Sequence, residues 1–365
     1  MKKLKNVLFI GAIPPPLNGQ SFAFEMAYKH YEGAKSLINQ NFEGLSKWYK
    51  FFLTIKACVK YLFYAIFKTP NLVYLIGSRS ILGSIKDIVC ISIFSRTHSK
   101  IILHIHGSGF DQFIDSFPNW LKYFAINQYQ KVDLFFVLHE SMVKEYKKYI
   151  PNAKTQVVRN FYDPVMDQFA FGKPRTHVVR IAYLSGIFFQ KGIFVLLDAF
   201  ELLKKKYPYL ELHVAGTFNS DAEMSALDCE KVFMLRVTPN SGIYYHGFLS
   251  GIEKCEFLNK TDLFVLPTMH PSEGIPISII EAFRSGCVVI SSKLLYLPLL
   301  VTELEGKCAV PGSVESLVEN IESFILNEEI VHKVSAHNIN HAQKHYNLNQ
   351  YIFSIKEGIE KTMNS

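Results

Sequence analysis

The chain has 365 residues, a length that predicts two or three domains at about 150 residues each. Hydrophobic residues make up 49% of it and charged residues 19%, which excludes a mainly disordered chain. The net charge is +7, but residues 1–165 hold 21 Lys and Arg against 10 Asp and Glu, whereas residues 166–365 hold 18 against 22. We therefore expect only the first half to face a polyanion, either a membrane surface or a phosphorylated ligand; the sequence has no motif typical of nucleic-acid binding.

Short segments rich in β-forming residues alternate with longer helical ones along the first half. This alternation is typical of a parallel sheet covered by helices on both faces. The predicted strands are Val7–Gly11, Ser36–Asn39, Leu72–Ile76, Lys100–Ile105, Leu134–Leu138 and Thr155–Val158, with helices near 21–31, 45–67, 79–95, 117–130 and 141–149.

The segment Asp163 to His177 contains Pro and Gly but little periodicity, so it is interpreted as a linker, after which the alternation resumes. The polar segment Thr217 to Asn240 is predicted to be an exposed helical insertion. The sequence thus predicts two doubly wound α/β domains, with ligands bound between them beyond the carboxyl ends of the strands. The later strands are predicted at Val178–Leu184, Leu210–Ala215, Gly242–His246, Leu263–Pro267 and Cys287–Ser291, and the helices at 191–206, 251–260, 276–285, 313–327 and 328–346.

Lysines at the start of the chain precede a short apolar run, Val7 to Ile10, in the manner of a signal peptide. The run is short and leads into three prolines without a cleavage site, so a first strand is the better interpretation. The six cysteines are too far apart in sequence for a zinc motif or a dense disulfide framework. Since no uncharged apolar run approaches the roughly 18 residues of a membrane helix, we expect a cytoplasmic protein.

Two loops of the first half carry candidate ligand-binding residues. The segment Gly11 to Gly19 follows the first strand and leads into a helix with Ser21 as its predicted N-cap. The free backbone N–H groups at the start of this helix could bind a phosphate or sugar oxygen. The alternative interpretation is a turn stiffened by prolines. His106 ends the fourth strand before a Gly-Ser-Gly turn, where it could hydrogen-bond a sugar hydroxyl or be structural. His104, on the same side of that strand, is interpreted as structural.

The strongest motifs of the second half also follow predicted strands. Lys191 lies in the turn Gly186 to Gly192, at the start of a helix whose positive end favours a diphosphate; the alternative is a surface lysine. Glu273 lies in a later loop, and Glu281 interrupts the apolar helix that follows. Because a carboxylate buried without a partner is costly, Glu281 is expected to bind a cation or hydroxyls; the alternative is an incidental surface glutamate.

Glu273 and Glu281, with seven residues between them and Ala-Phe-Arg-Ser-Gly after them, resemble the signature of the retaining glycosyltransferases of family 4. Four further segments of the chain resemble other motifs of that family and occur in the same order over nearly the whole chain. They are Gly11 to Gly19, His106-Gly107, Val158 to Asp163 and Gly186 to Gly192. The resemblance implies the GT-B fold, in which two Rossmann-like, doubly wound parallel-sheet domains face each other across a cleft.

By the same resemblance, residues 1–165 would bind the acceptor, residues 166–345 the nucleotide-sugar donor, and residues 346–365 would form a helix that crosses back to the first domain. The implied catalytic residues are His106 and Glu273, which would face the transferred sugar, and Lys191, which would bind the diphosphate. Glu281 would hold the donor ribose. The remaining implied donor-binding residues are Gly274, Ile275, Gly186, Gly247 and Gly19. Neither a metal nor another cofactor is expected.

The implied reaction moves a sugar, with retention of configuration, from a UDP- or GDP-sugar to a hydroxyl of a lipid-linked oligosaccharide in bacterial surface polysaccharide biosynthesis. The chain departs from the family at Ile187, where an arginine usually follows the glycine of the phosphate turn; Arg284 and Arg159 are the candidates to replace it. Two alternatives are a catalytically impaired nucleotide-sugar-binding partner of a glycosylation complex and another GT-B enzyme, such as a nucleotide-sugar epimerase.

Residues 45–67 place apolar side chains on one side of a helix and lysines on the other. A crossover helix packed on its own sheet is the favoured interpretation, and peripheral contact with anionic lipid through the basic N-terminal domain is the alternative. The apolar side chains are Trp48, Phe52, Ile55, Val59 and Ile66.

His337, His341 and His345 recur at every fourth position of a predicted helix. This spacing suits a metal, but no carboxylate shares it, so a solvated helix face is the favoured interpretation.

Overall fold

The computed structural model describes residues 6–15, 17–41, 47–169 and 174–365, with the backbone alone for Lys47 and Lys50. The chain divides into two compact units, one formed by Met1–Asn160 with Asn349–Ser365 and the other by Phe161–Leu348. Each unit has a six-stranded sheet in which every strand pair is parallel. The predicted α/β class with two doubly wound parallel sheets is confirmed. Residues 161–165, grouped above with the first domain, lie in the second unit.

The first unit is built on a sheet of strand order β2-β1-β3-β4-β5-β6. Its central strands are apolar runs because both of their faces are covered; Leu72 to Leu75, for example, are fully buried. The strands are β1 (Asn6–Gly11), β2 (Ala34–Asn39), β3 (Leu72–Ile76), β4 (Lys100–His104), β5 (Leu134–Val137) and β6 (Thr155–Val157). The helices are α1 (Gly19–His30), α2 (Lys47–Phe63), α3 (Ile81–Phe94), α4 (Phe110–Asp115), α5 (Asn119–Tyr129) and α6 (Val143–Lys147).

The second unit is built on a sheet of strand order β12-β11-β10-β7-β8-β9. Its strands are β7 (Arg180–Leu184), β8 (Glu211–Ala215), β9 (Ile243–Tyr245), β10 (Leu263–Val265), β11 (Val288–Ser292) and β12 (Gly306–Ala309). Its helices are α7 (Ile193–Lys206), α8 (Ala226–Met234), α9 (Gly251–Asn259), α10 (Ile277–Arg284), α11 (Leu297–Leu300), α12 (Val314–Ile325) and α13 (Glu328–His345). Strand β12 was not predicted, whereas α8 accounts for the helix expected between Thr217 and Asn240.

The strand order reverses direction beside the first strand of each sheet. In the first unit β1 lies between β2 and β3, and in the second β7 lies between β8 and β10. The loops that follow these strands diverge at the carboxyl edge, which is where doubly wound sheets bind ligands. The segments Gly11 to Gly19, Gly186 to Gly192 and Met269 to Ile275 all begin at these edges.

A last helix, α14 (Leu348–Asn364), packs on the first unit although it follows the second in sequence. The Tyr351 hydroxyl donates to the carbonyl oxygen of Ala23 at 2.9 Å, and the Gln156 amide donates to that of Ser354 at 2.8 Å. Gly358 lies against the Phe136 ring, where an added Cβ would be 2.4 Å from a ring carbon. This helix is therefore part of the first unit's core.

All six cysteines are free thiols, and four of them are buried. Among the described residues, no helix has the length and apolar character required to cross a membrane.

Candidate functional site

The loop after β1 leads into α1 through a capping box. The side-chain oxygen of Asn18 accepts the Ser21 N–H at 2.9 Å, and the Ser21 hydroxyl accepts the Asn18 N–H at 3.1 Å. The N-cap is therefore Asn18, and the prediction of Ser21 as the cap is wrong, because Ser21 lies one helical turn later and completes the box. Gly19 is the first residue of α1, directly after the cap.

Two histidine rings lie side by side at the carboxyl end of β4, with their planes tilted by 31°. The rings of His104 and His106 are 4.0 Å apart between centroids, which confirms that they share one side of the chain. His104 is fully buried, and its Nδ1 lies 2.6 Å from the Tyr74 hydroxyl. His104 is thus a core residue that supports the ring of His106.

His106 is a neutral imidazole with an unused nitrogen. Burial lowers its pKa to about 4, although the hydrogen bond with the Asn160 side chain acts in the opposite direction. Among the described residues, its Nε2 atom has no hydrogen-bond partner. A buried nitrogen of this kind can exchange a hydrogen bond with a bound hydroxyl.

Arg79 lies in the loop after β3 and makes hydrogen bonds to the turn that follows His106. Its Nη2 donates to the carbonyl oxygen of Ser108, and also to that of Gly109 at 3.3 Å, while its guanidinium lies over the Phe113 ring. The sequence analysis missed this residue because its partners are 29 and 30 positions away.

Replacing His106 with Asn should reduce the amount by which the free energy of unfolding falls at acid pH. His106 has a pKa near 4 in the folded state and near 6.5 in the unfolded state, so the unfolded chain binds a proton at a higher pH than the folded protein does. The free energy of unfolding therefore falls as the pH is lowered from 6.5 to 4. Urea unfolding between pH 7 and pH 4 should therefore show a shallower fall in the free energy of unfolding for H106N. The exposed His98→Asn variant should match the wild type; an unchanged slope in H106N would contradict the prediction.

In the second unit, the turn after β7 is fixed by a glycine. Gly192 has φ +76°, and a Cβ there would lie 2.0 Å from the carbonyl oxygen of Pro267, in the loop after β10. The backbones of the two loops are further joined by a hydrogen bond of 2.7 Å from the Met269 N–H to the Gln190 carbonyl oxygen. This close approach sets Lys191 beside the loop that carries Glu273.

Lys191 and Glu273 form a direct ion pair. The Lys191 Nζ donates to the Glu273 Oε2 at 2.6 Å, and the Thr268 hydroxyl donates to the same oxygen at 2.8 Å. Only 16% of the lysine side chain and 8% of the glutamate side chain are exposed. The alternative of a surface lysine is therefore wrong, and two of the predicted residues are brought together.

Glu281 lies in α10 with 3% of its side chain exposed, which rules out a surface glutamate. Its Oε1 accepts a hydrogen bond of 2.5 Å from the Lys254 Nζ, which also lies 3.3 Å from Asp163. Burial raises the pKa of Glu281, and Lys254 acts against that rise. Burial alone would lower the pKa of Lys254, but the two carboxylates raise it above its usual value.

The cation that Glu281 was expected to need is thus Lys254, supplied by α9. The sequence analysis did not find it, because 27 residues separate the two and nothing in α9 marks this lysine. Asp163, its second partner, lies in the segment Val158 to Asp163 that the family resemblance had singled out.

Of the remaining predicted donor-binding residues, Gly19 lies in the first unit and the other four lie in loops of the second unit. Gly186 accepts a hydrogen bond of 2.8 Å from the Tyr183 hydroxyl through its carbonyl oxygen. Gly247 has φ +68° with open space where a Cβ would lie. Gly274 and Ile275 are buried, and Pro276 precedes α10 with an extended backbone, so it is not itself a helical residue.

Ile187 is fully buried, with its N–H bonded to the Thr217 carbonyl oxygen at 2.8 Å. Of the two arginines considered as replacements for the cation, Arg284 is held by Asp167 at 3.0 Å and Arg159 lies in the first unit, 3.6 Å from Glu140. Within the turn Gly186 to Gly192, the cationic side chain is that of Lys191.

The two doubly wound parallel sheets form the GT-B fold that the sequence implied. Residues 168–344 match the family model of the glycosyl transferases group 1.

Solved structures support the fold over the whole chain. Sucrose-phosphate synthase from Thermosynechococcus elongatus is 13% identical, with a TM-score of 0.74 and 98% of each chain covered. The HepE protein of Anabaena, in complex with UDP-glucose, is 15% identical, with a TM-score of 0.71 over 98% of this chain and 99% of that one.

Among curated proteins, the serotype-specific mannosyltransferase WbdA of Escherichia coli is 22% identical over 244 residues, which is 60% of this chain and 28% of WbdA. The amylovoran biosynthesis glycosyltransferase AmsK of Erwinia amylovora is 24% identical over 179 residues, 46% of this chain and 41% of AmsK. The matched region therefore spans less than half of either relative.

Proposed function

We propose that this protein is a retaining glycosyltransferase that transfers a sugar from a nucleoside-diphosphate sugar, carried on UDP or GDP, to a hydroxyl group. The observation that carries the proposal is the pairing of Lys191 with Glu273 at the carboxyl edge of β7 and β10. A cation at this position can bind the negatively charged diphosphate, and the adjacent carboxylate can accept hydrogen bonds from the hydroxyls of the sugar.

In the proposed reaction, the bond between the anomeric carbon and the diphosphate oxygen breaks while the acceptor oxygen bonds to the same face of the sugar. Lys191 and the N-terminal turn of α7 stabilise the charge that develops on the leaving diphosphate. The acceptor proton passes to a donor phosphate oxygen, so no protein nucleophile is needed. Glu281 holds the donor ribose, Glu273 and His106 bind the transferred sugar, and Gly19 lies near the phosphate or acceptor.

The remaining donor contacts follow from the same edge of the sheet. Gly186, Gly247 and Gly274 have no side chain there, which permits close approach of the donor to the backbone, and Ile275 follows Gly274 in the same loop. The reaction as proposed uses neither a metal nor another cofactor.

A panel of nucleotide sugars tested by thermal shift should reveal the donor. A donor at about 100 times its Kd should add about 2.7 kcal/mol of apparent stability. Glu281→Ala should lose this shift, whereas Glu303→Ala, which changes an exposed glutamate of the same unit, should keep it.

The absence of any shift from a folded wild type would overturn the proposed donor site. A shift without turnover would favour the catalytically impaired binding partner, for which the buried Ile187 is the supporting observation. Release of a free sugar or an epimerised donor would favour the epimerase, and an inverted anomeric signal in the NMR spectrum of the product would exclude the retaining mechanism.

We extend the proposal to a lipid-linked oligosaccharide acceptor in the biosynthesis of a bacterial surface polysaccharide such as O-antigen, capsule or exopolysaccharide. The supporting relatives are WbdA, named as a serotype-specific mannosyltransferase, and AmsK, named for amylovoran biosynthesis. An acceptor of this kind would bring the enzyme to the inner face of the cytoplasmic membrane.

The exposed apolar surface of the first unit supports contact with that membrane. Trp48 and Phe52 of α2 are 79% and 66% exposed, so the favoured interpretation that this face packs on its own sheet is wrong. Helix α2 packs on α3, and α3 on α5, and each of these helices adds exposed apolar residues. The largest of these additions are Leu82, Trp120 and Tyr123.

Lysine side chains occur in the same helix as Trp48 and Phe52. Lys56 and Lys60 of α2 are exposed, and the N-terminal 165 residues carry 21 basic against 10 acidic side chains. Soluble proteins rarely expose so large an apolar area without a partner, and basic residues beside aromatic ones suit an anionic bilayer.

Flotation with vesicles should test this contact. The wild type should float with vesicles that contain an anionic phospholipid and much less with neutral ones, and Trp48→Ser with Phe52→Ser should reduce flotation. The matched change Leu202→Ser, at a half-exposed leucine of the second unit, should have no effect. Equal flotation with anionic and neutral vesicles, or no effect of the double change, would dispose of the membrane surface.

A further inference from the structure

A carboxylate and two histidines come together in the second unit, outside the motifs used above. Glu305 precedes β12, and His337 and His341 lie in α13; one ligand atom from each lies within 4.8 Å of the other two. We propose that these three side chains bind a divalent transition metal ion of the Zn²⁺ type.

The Glu305 carboxylate is buried and already oriented. Its Oε2 accepts hydrogen bonds from the backbone N–H of Thr302 at 3.0 Å and from the Thr302 hydroxyl at 2.5 Å. Its other oxygen, Oε1, lies 2.8 Å from the His337 Nε2. Hydrogen bonds that fix one carboxylate oxygen leave the other directed at the ligand position, as in established metal sites.

The two imidazoles are one helical turn apart, on the same side of α13 as Glu305. Their ring centroids are 5.3 Å apart and their planes differ by 20°, so both can present a nitrogen to one ion. The Phe283 and Tyr346 rings pack edge-on against His341, at centroid distances of 6.4 and 5.4 Å. Two imidazoles and a carboxylate are a ligand set that Zn²⁺ accepts, with a further position for water.

The third histidine, His345, lies 5.0 Å from His341 between ring centroids but is not part of this three-residue group. The carboxylate that the helical spacing alone did not provide thus comes from a different segment, and His337 contacts the buried Glu305 as well as solvent.

The ion would join α13 to the loop between β11 and β12. Hydrogen bonds already link these segments, since the Asn338 amide donates to the carbonyl oxygens of Glu305 at 2.9 Å and Cys287 at 2.8 Å. Helix α13 also contacts α10, the helix of Glu281, through Phe283. The proposed role is therefore structural, and its test is independent of glycosyl transfer.

Cobalt(II) is the probe, because a tetrahedral Co²⁺ ion with nitrogen and oxygen ligands has a visible absorption band. The full chain, treated with a chelator, should develop this band with one equivalent of Co²⁺, and Zn²⁺ should displace it and raise the Tm. His341→Ala and Glu305→Gln should each weaken binding at least about tenfold.

Two further variants complete the test. His337→Gln keeps an amide donor for Glu305 but removes the imidazole, so it should remain folded and still lose the band. His332→Ala, at an exposed histidine of the same helix, should bind as the wild type does. If the wild type develops no band, or if H337Q and H341A bind Co²⁺ as tightly as the wild type, the site is overturned.

Discussion

Replacing Lys191 with Met is expected to lower kcat by about 10²–10³-fold, with a smaller change in the Kd of the donor. The buried Ile187 offers no charge and Arg284 is held by Asp167, so the proposed mechanism assigns the cation beside the diphosphate to Lys191. Removal of one fixed group that stabilises developing charge typically costs about 3–4 kcal/mol at the transition state, which corresponds to this fall in rate. Steady-state kinetics with the donor found by thermal shift would measure it.

The matched control for this change is Lys205→Met, which removes an exposed lysine from α7, the helix that follows Lys191. It should retain the wild-type kcat. A wild-type kcat in K191M would remove Lys191 from the proposed mechanism, even if the donor still bound. Equal losses of donor affinity and of kcat/KM would assign Lys191 to ground-state binding alone.

Replacing Lys254 with Met is expected to lower the free energy of unfolding by about 3–5 kcal/mol. Only 12% of its side chain is exposed, and it lies between Glu281 and Asp163. Breaking a buried ion pair by removal of one partner leaves the other charge buried without compensation, and here two carboxylates would be left.

Urea unfolding at pH 7 would measure the loss, with Lys231→Met, at an exposed lysine, as the control. Adding Glu281→Gln to K254M should cost less than the two single changes together, because the uncompensated charge is then removed. Strict additivity, or a loss within about 0.5 kcal/mol of the control, would show that the three side chains do not act as a buried network.

Local sequence patterns predicted the frame of the fold well. Leu72 to Ile76 and Leu263 to Val265 are apolar runs between turn signals, and both are buried strands that lie beside the first strand of their sheet. The loops after such strands could therefore be searched for chemistry, and the search found Lys191 and Glu273, which are in contact.

Features that depend on distant partners escaped the same reasoning. Strand β12 has the sequence Gly-Lys-Cys-Ala, which carries no β signal; it forms because Gly306 can approach Val289, whose carbonyl oxygen would be 1.8 Å from any added Cβ. Lys254 and Glu305 were missed for the same reason, since what makes each one notable is a side chain from another segment.

Helix α2 shows a different limit. Its periodicity correctly placed Trp48, Phe52 and Val59 together, but a helical pattern states only which side chains share a face. It does not state whether a sheet, a lipid surface or another chain covers that face. All three side chains are more than half exposed, so the packing on its own sheet that the pattern favoured was wrong.

The position of α14 affects the order in which the protein can fold. The contact of Tyr351 with Ala23 joins residues 328 positions apart, whereas the second unit is one continuous segment of the chain. During synthesis from the ribosome, Phe161–Leu348 can reach its native state while the earlier-made sheet still lacks a helix. Since distant contacts form slowly, the N-terminal unit should be the later one to complete and the more exposed to degradation before synthesis ends.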